Sequence, residues 1–162
     1  MLITSYEINK KFANTIKEEI YGIKKHWYKD LNNVKALTSG FEPSYLFFDI
    51  IKKQLTSQLF KITNTPLKPS CWWANFYEPG HYTKLHHHNP EIISSITIIK
   101  ADKSNPLYFD LKPGILQVQE YDGLVIFFDS KLHHGVNVCK GERITLAVDF
   151  VKSLEYNKNN LD

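Results

Sequence analysis

Residues 71–99 read CWWANFYEPGHYTKLHHHNPEIISSITII, and this stretch decides the fold class because its side chains follow a period of two. A period of two is typical of β-strands, whose successive side chains point to opposite faces of a sheet. Glu78-Pro79-Gly80 interrupts the period and has the composition of a tight turn. The stretch is therefore predicted to form short consecutive strands joined by turns.

Similar β-rich segments continue to residue 151, and turn signals rich in proline, glycine, asparagine and aspartate separate them. The predicted strands span residues 71–77, 82–87, 92–99, 107–111, 115–119, 124–128, 135–138 and 144–151. About eight short strands with regular turns are typical of a double-sheet jelly roll or a small barrel.

The first 69 residues have a helical period instead. Apolar residues recur every three or four positions from Ile8 to Trp27, and again from Phe47 to Ile62 after a break at Pro43-Ser44. Two amphipathic helices of this kind can cover one face of the larger sheet. The chain is therefore predicted to be mainly β with N-terminal helices, as a single domain over residues 1–162. Residues 1–69 would be helical support and residues 70–152 the jelly-roll core.

The composition excludes several classes of protein. A chain of 162 residues that is 43% hydrophobic can fill a core, which excludes a disordered tail. Two cysteines without a CxxC motif cannot build a disulfide scaffold or a zinc ribbon. The N-terminus lacks the basic and apolar segments of a signal peptide, and no apolar run is long enough to span a membrane. We therefore expect a cytoplasmic protein with no membrane partner.

The net charge of +3 is unevenly distributed. Residues 1–68 carry eleven lysines against six acidic residues, whereas the remainder carries nine basic residues against eleven acidic ones. A basic first third allows nucleic acid as a partner, but solvated helix surfaces with mixed lysine and glutamate are more common. Nucleic acid is therefore the less favoured partner. The sequence specifies no oligomeric state.

Six of the seven histidines lie within residues 81–134, and three of them have strand parity for one face. His86 and His88 are two residues apart, so both point to the side opposite His87. His134 follows forty-six residues after His88 and alternates with His133. Two imidazoles on one strand and a third from a distant strand are a layout of mononuclear non-haem iron sites. The alternative is a surface histidine tract that binds stray metal.

Arg143 is the only arginine in a chain that uses lysine nineteen times. Strand parity puts Arg143 and Thr145 on one face of the last predicted strand. A guanidinium is a rigid fork that binds a carboxylate through two hydrogen bonds, which a lysine cannot reproduce. Arg143 is therefore a candidate for binding a carboxylate ligand, and the alternative is a surface charge at the start of a strand.

Residues 73–150 resemble the Fe(II)/2-oxoglutarate-dependent dioxygenases, whose core is a double-stranded β-helix of the jelly-roll, cupin-like type. Trp73-Ala74-Asn75, then Gly80 and His86-His87-His88, are similar to the first metal motif of the branch of that superfamily that uses H-x-H. Residues 123–136, GLVIFFDSKLHHGV, resemble the same branch's segment around the last metal ligand.

The end of the chain extends the resemblance. Arg143-Ile144-Thr145 resembles the R-x-S/T motif that binds the distal carboxylate of 2-oxoglutarate. The nine-residue interval between His134 and Arg143 also resembles prolyl hydroxylases.

The resemblance implies a metal site, a cosubstrate site and a reaction. It implies that Fe(II) is bound by His86, His88 and His134. It implies that 2-oxoglutarate is bound by Arg143 and Thr145, with Tyr77 and Asn75 completing the pocket. O2 would be the co-oxidant and ascorbate a candidate auxiliary reductant. The implied reaction is hydroxylation of a C–H bond, foremost of a prolyl or other amino-acid substrate, either a peptide or a small molecule.

One departure from the superfamily concerns charge. His88 stands where most members have a carboxylate, so three neutral imidazoles would leave an Fe(II) site at +2 rather than +1. Asp129, close to His134 in sequence, is a candidate hydrogen-bond partner of a ligand imidazole.

Two alternative functions stay open. Asn75-Phe76-Tyr77 and Leu85-His86 are similar to the N-x-Y and L-H motifs of alkylated-nucleic-acid demethylases, which makes N-alkyl demethylation of nucleic acid the second choice. The other alternative is a three-histidine, cupin-like metal-binding protein that does not use 2-oxoglutarate. The residues predicted to line the mouth of the site are Trp72, His81, Tyr82, Lys84 and Tyr108.

Overall fold

The computed structural model describes residues 3–29 and 32–153, and within them the strands form two antiparallel sheets that enclose an apolar core. The helices are α1 (Lys10–Ile23) and α2 (Leu46–Thr63). The strands are β1 (Ile3–Glu7), β2 (Tyr28–Lys29), β3 (Val34–Lys35), β4 (Leu37–Thr38), β5 (Leu67–Tyr77), β6 (Tyr82–His86), β7 (Ile93–Lys100), β8 (Leu107–Asp110), β9 (Ile115–Gln117), β10 (Leu124–Asp129), β11 (His133–Val136) and β12 (Arg143–Lys152).

In the described part of the chain, the larger sheet has the strand order β1-β10-β7-β12-β5-β4-β2 and the smaller sheet the order β3-β6-β11-β8-β9. Strands that are distant in sequence are neighbours in both sheets, as in β12, which pairs with β5 and β7. This double-sheet jelly roll with two N-terminal helices confirms the predicted fold class.

The larger sheet is buried on both faces, and the first eight residues of β12 are accordingly all buried. On one face, Phe76, Leu146 and Val148 pack against helix residues such as Ile16 and Leu55. The other face turns towards the smaller sheet and shares a second cluster with it. That cluster includes Tyr77, Ile98, Leu107, Phe109, Ile126, Phe128 and Val136. Each fully buried aliphatic or aromatic side chain contributes about 1.5–3 kcal/mol relative to exposure, so the sheet is a rigid base for polar residues placed between the two layers.

The prediction that residues 1–69 are helical support was incomplete, because β1 to β4 also lie there. β1 pairs with β10 at an edge of the larger sheet, and β3 pairs with β6 in the smaller one. Strands of two to five residues are too short for their periodicity to stand out beside two long helices.

β5 also begins at Leu67, earlier than predicted, and includes Pro69. Pro69 pairs with Phe150 of β12 on one side. On the other side β4 pairs only with the far end of β5, at Asn75 and Phe76, so no described ladder bond is lost there for want of an N–H on Pro69.

Among the described residues, no helix combines the length and the hydropathy that crossing a bilayer requires.

Candidate metal centre and adjoining cavities

The three parity-matched histidines converge between the two sheets. His134 in β11 lies directly opposite His86 in β6, and His88 follows two residues beyond His86. One ligand nitrogen of each residue lies within 4.8 Å of those of the other two. The ring centroids are 4.3 Å apart for His86 and His134 and 5.1 Å apart for the other two pairs. His87 and His133 are exposed on the outside, where their rings lie 4.7 Å apart, as strand parity predicts.

Two of the three imidazoles are oriented by the backbone. The Nδ1–H of His86 donates to the carbonyl oxygen of Lys84 at 2.8 Å, and the Nδ1–H of His134 donates to that of Leu132 at 3.0 Å. A carbonyl can only accept, so it fixes the tautomer with the proton on Nδ1. In each ring, Nε2 is left with its lone pair free for a ligand.

The third imidazole is oriented by a carboxylate that the sequence reasoning missed. His88 Nδ1 lies 2.9 Å and 2.8 Å from the two carboxylate oxygens of Asp149, and 3.2 Å from Oγ of Ser94. Asp149 is buried in β12, on the face shared by Arg143 and Thr145, so continuing the strand parity by two steps would have found it.

Asp149 changes the expected charge of the centre. The count of +2 for Fe(II) with three imidazoles did not include this residue, a buried carboxylate that lies one hydrogen bond away from a ligand candidate. Asp129, the predicted hydrogen-bond partner, instead accepts a hydrogen bond from the backbone N–H of Lys131 at 3.0 Å.

Burial keeps two of these imidazoles neutral. Burial, reinforced by the neighbouring His86, lowers the pKa of His134 to about 3. Burial also lowers the pKa of His86 below its ordinary value, although the hydrogen bond to Lys84 opposes the shift. Both rings therefore present unprotonated nitrogens near neutral pH, which is the form that binds a metal ion.

Arg143 is not a surface charge. It is 1% exposed, and its Nε donates to both carboxylate oxygens of Glu120, at 2.9 Å and 3.0 Å. Burial opposes the charge of the guanidinium, but the carboxylate of Glu120 outweighs it and raises the pKa of Arg143. The Cζ of Arg143 also lies 5.0 Å from the centre of the Tyr77 ring, a cation–π contact. Tyr77 in turn shares a hydrogen bond of 2.8 Å with Thr83.

A small inner cavity of about 40 Å³ connects the histidines with Arg143. It is lined by all seven residues that were predicted to bind the metal or the cosubstrate: Asn75, Tyr77, His86, His88, His134, Arg143 and Thr145. Two buried polar atoms at this cavity, Asn75 Oδ1 and Arg143 Nη2, make no hydrogen bond in the described structure. Nη2 lies 2.8 Å from a Glu120 oxygen, but as an ion pair without hydrogen-bond geometry. Buried polar atoms without hydrogen bonds are uncommon, and a polar ligand would satisfy these two.

A larger outer cavity of about 480 Å³ opens over the histidines. Its described lining combines aromatic rings with carboxamides: Tyr28, Phe41 and Trp73 with Asn32, Asn33, Asn75 and Asn89. Glu91 and Asp149 are the acidic residues there, and no lysine or arginine is among the described residues that line it.

The predicted mouth residues were wrong. None of the five lines either of these two cavities, and the described lining of the outer cavity comes instead from residues within 28–41, 71–75 and 86–91 and from Asp149. Trp72 faces the helices, where its Nε1–H donates to the carbonyl oxygen of Pro43 and Lys52 lies over its ring. Trp73 alternates with Trp72 along β5 and therefore faces the histidines.

Asp102 anchors the turn that precedes Arg143. Its carboxylate accepts hydrogen bonds from the backbone N–H groups of Ser104 at 2.9 Å, Lys140 at 2.7 Å and Gly141 at 3.3 Å. Burial opposes ionisation of Asp102, but these hydrogen bonds outweigh it and hold its pKa below the ordinary value.

Replacing Asp102 by asparagine is expected to lower the free energy of unfolding by about 1–2 kcal/mol near neutral pH. Because the folded-state pKa lies below the ordinary 3.8, the stabilisation is present above pH 3.8 and is lost as the pH falls through the folded-state pKa. Urea unfolding of both proteins at about pH 7 and about pH 3 measures the difference, which should shrink at the lower pH. An equal difference at both pH values would contradict the role of the charge.

Comparison with known proteins gives a clear answer for the fold. No protein-family model matches the sequence, and no curated protein matches it. A prolyl-4-hydroxylase from Pseudomonas putida matches with a TM-score of 0.76 and 13% identity, over 93% of this chain and 92% of that one. The chain has the jelly-roll fold of the prolyl hydroxylases.

Two further solved structures support this result. A Trichoplax adhaerens prolyl hydroxylase, in complex with a hypoxia inducible factor peptide fragment, matches with a TM-score of 0.74 and 9% identity, over 98% of this chain and 87% of that one. HygX from Streptomyces hygroscopicus, with nickel and 2-oxoglutarate bound, matches with a TM-score of 0.72 and 10% identity, over 94% of this chain and 83% of that one. The structural neighbours are thus prolyl hydroxylases and other 2-oxoglutarate oxygenases, and at these identities the likeness establishes the fold.

Proposed function

We propose that the protein is a non-haem iron, 2-oxoglutarate-dependent dioxygenase that hydroxylates a C–H bond. The observation that carries the proposal is an inner cavity bounded by three converging imidazoles and by a buried arginine. The neighbours that have this fold and contain 2-oxoglutarate add support.

His86, His88 and His134 would hold the metal ion through Nε2. The donor set of neutral imidazoles suits Fe(II), and three ligands leave positions for a chelating cosubstrate and O2. When bound, Fe(II) would supply the activation of O2, coupling the oxidation of 2-oxoglutarate to succinate and CO2 with hydroxylation of the substrate C–H bond. The carbonyls of Lys84 and Leu132 and the carboxylate of Asp149 keep the three rings aimed at one point.

Arg143 and Thr145 would hold the distal carboxylate of 2-oxoglutarate, with Tyr77 and Asn75 completing the pocket. The unsatisfied Nη2 of Arg143 is the kind of donor that a carboxylate oxygen accepts from. The carboxamide of Asn75 presents a donor or an acceptor according to its flip, so it can serve either the cosubstrate or a polar substrate group. The residues present therefore fit the cosubstrate.

The outer cavity favours an amino-acid or peptide substrate, foremost a prolyl one. Aromatic side chains such as Tyr28, Phe41 and Trp73 form surfaces on which prolyl rings pack, and carboxamides can bind a peptide backbone. Nucleic acids are bound mainly through lysine and arginine contacts to phosphate, and the described lining offers neither. Nucleic-acid demethylation is therefore less well supported than peptide or small-molecule hydroxylation.

The test is succinate formation by the Fe(II)-loaded full chain in air, with ascorbate present, in three parallel substrate panels. The panels are prolyl peptides, free amino acids and methylated oligonucleotides. We expect slow uncoupled succinate formation without substrate and an increase of about tenfold or more with a prolyl or amino-acid panel member. Absence of succinate under all conditions would contradict the proposal and favour a metal-binding protein that does not use 2-oxoglutarate. A response to the oligonucleotides alone would replace the proposed substrate class.

A further inference from the structure

The arginine of the proposed cosubstrate pocket is already paired within the protein. Nε of Arg143 donates to both oxygens of Glu120, and Nη2 lies 2.8 Å from one of them. The two side chains are 1% and 0% exposed. With almost no solvent to screen the pair, the carboxylate offsets much of the charge that the guanidinium presents to a ligand.

Glu120 is a fixed part of the fold and not a wall of the cavity. It lies in the segment between β9 and β10, and its backbone N–H donates to Oδ1 of Asn105 at 2.8 Å. It is absent from the described lining of the inner cavity, which Arg143 and Thr145 reach from β12. Glu120 therefore does not contact a ligand in this cavity, and it acts there through its hydrogen bonds to Arg143 and through its charge.

We propose that Glu120 sets the affinity and selectivity of the cosubstrate site by occupying the Nε edge of Arg143 and offsetting its charge. This inference rests on the proposed function. The distal carboxylate of 2-oxoglutarate then meets only the remaining N–H groups of a charge-compensated guanidinium. It contributes less to binding than it would beside an unpaired arginine, so the site discriminates weakly against 2-oxoacids that lack a distal carboxylate.

The experiment compares two ligands that differ only at the distal end. Calorimetry of the Ni(II)-loaded full chain gives Kd for 2-oxoglutarate and for 2-oxopentanoate, which has a methyl group in place of the distal carboxylate. In the wild type we expect 2-oxoglutarate to bind no more than about tenfold more tightly. In Glu120→Gln, Kd for 2-oxoglutarate should fall by about tenfold while Kd for 2-oxopentanoate stays the same.

Glu142→Gln is the matched control, because it removes the same charge from the residue next to Arg143. Glu142 is partly exposed and pairs with Lys100, so its loss should change the ratio of the two dissociation constants by less than about twofold. A merely structural role for Glu120 would weaken both ligands together and leave the ratio unchanged.

The outcomes separate this inference from the proposed function. If Glu120→Gln binds 2-oxoglutarate equally or more weakly than the wild type, the inference is overturned and the function stands. If only the variant binds 2-oxoglutarate, the inference holds and the function fails for the natural chain. Binding by neither overturns both. If the variant does not fold, a wild-type preference for 2-oxoglutarate above about a hundredfold overturns the inference by itself.

Discussion

Replacing Arg143 by methionine is expected to lower the free energy of unfolding by about 3–5 kcal/mol, because the substitution leaves the buried carboxylate of Glu120 without its partner. The arginine is therefore structural as well as a candidate ligand group. Loss of 2-oxoglutarate turnover in this single variant would not distinguish the two roles.

The double variant Arg143→Met/Glu120→Met separates them. Replacing a buried ion pair by apolar residues of similar volume is often neutral or stabilising, so most of the lost stability should return. Binding of 2-oxoglutarate should remain lost, whereas Ni(II) affinity should stay within about threefold of the wild type, because the histidines and Asp149 are unchanged. Urea unfolding and calorimetry measure these quantities. A double variant that binds 2-oxoglutarate like the wild type would contradict the assignment of Arg143.

Replacing Asp149 by asparagine is expected to raise Kd for Fe(II) or Ni(II) by about 10–100-fold. The carboxylate accepts the hydrogen bond from Nδ1 of His88, which raises the basicity of Nε2 and fixes the direction of the ring. Asparagine keeps the shape but loses the charge, so a fall in affinity reports the charge and not a cavity. His88→Ala, which removes the ring itself, should have the larger effect.

Asp129→Asn is the matched control for Asp149, because its carboxylate accepts from the backbone of Lys131. Its metal affinity should match the wild type. An affinity for Asp149→Asn that is also unchanged would contradict the role of the carboxylate in metal binding. An unchanged affinity for His88→Ala would exclude His88 as a ligand.

The alternation of side chains along strands predicted most of the residues that line the inner cavity. Side chains at alternate positions of a strand share a face, so His86 with His88, Asn75 with Tyr77 and Arg143 with Thr145 could be placed before the structure was known. All of them line one inner cavity. The same rule would have placed Asp149 in the site and Trp72 away from it, had it been applied along the whole of β12 and β5.

Strand parity could not predict Glu120 or the residues of the outer cavity, for two physical reasons. Glu120 lies in a non-regular segment 23 residues before Arg143, so its pairing depends on how that segment docks in three dimensions. The outer cavity is lined by residues from the region of β2 to β4, each of which has two residues. Strands of that length have no detectable period, and their position follows from pairing with β5 and β6.

We expect one cavity to bind Fe(II) through three histidines and to bind 2-oxoglutarate beside the metal ion. The most direct test is an anaerobic titration of the Fe(II)-loaded full chain with 2-oxoglutarate, followed by its visible spectrum. A weak charge-transfer band should appear, saturate with 2-oxoglutarate and be absent in His134→Ala. Tight binding of Fe(II) with no band, and no binding of 2-oxoglutarate by calorimetry, would contradict it.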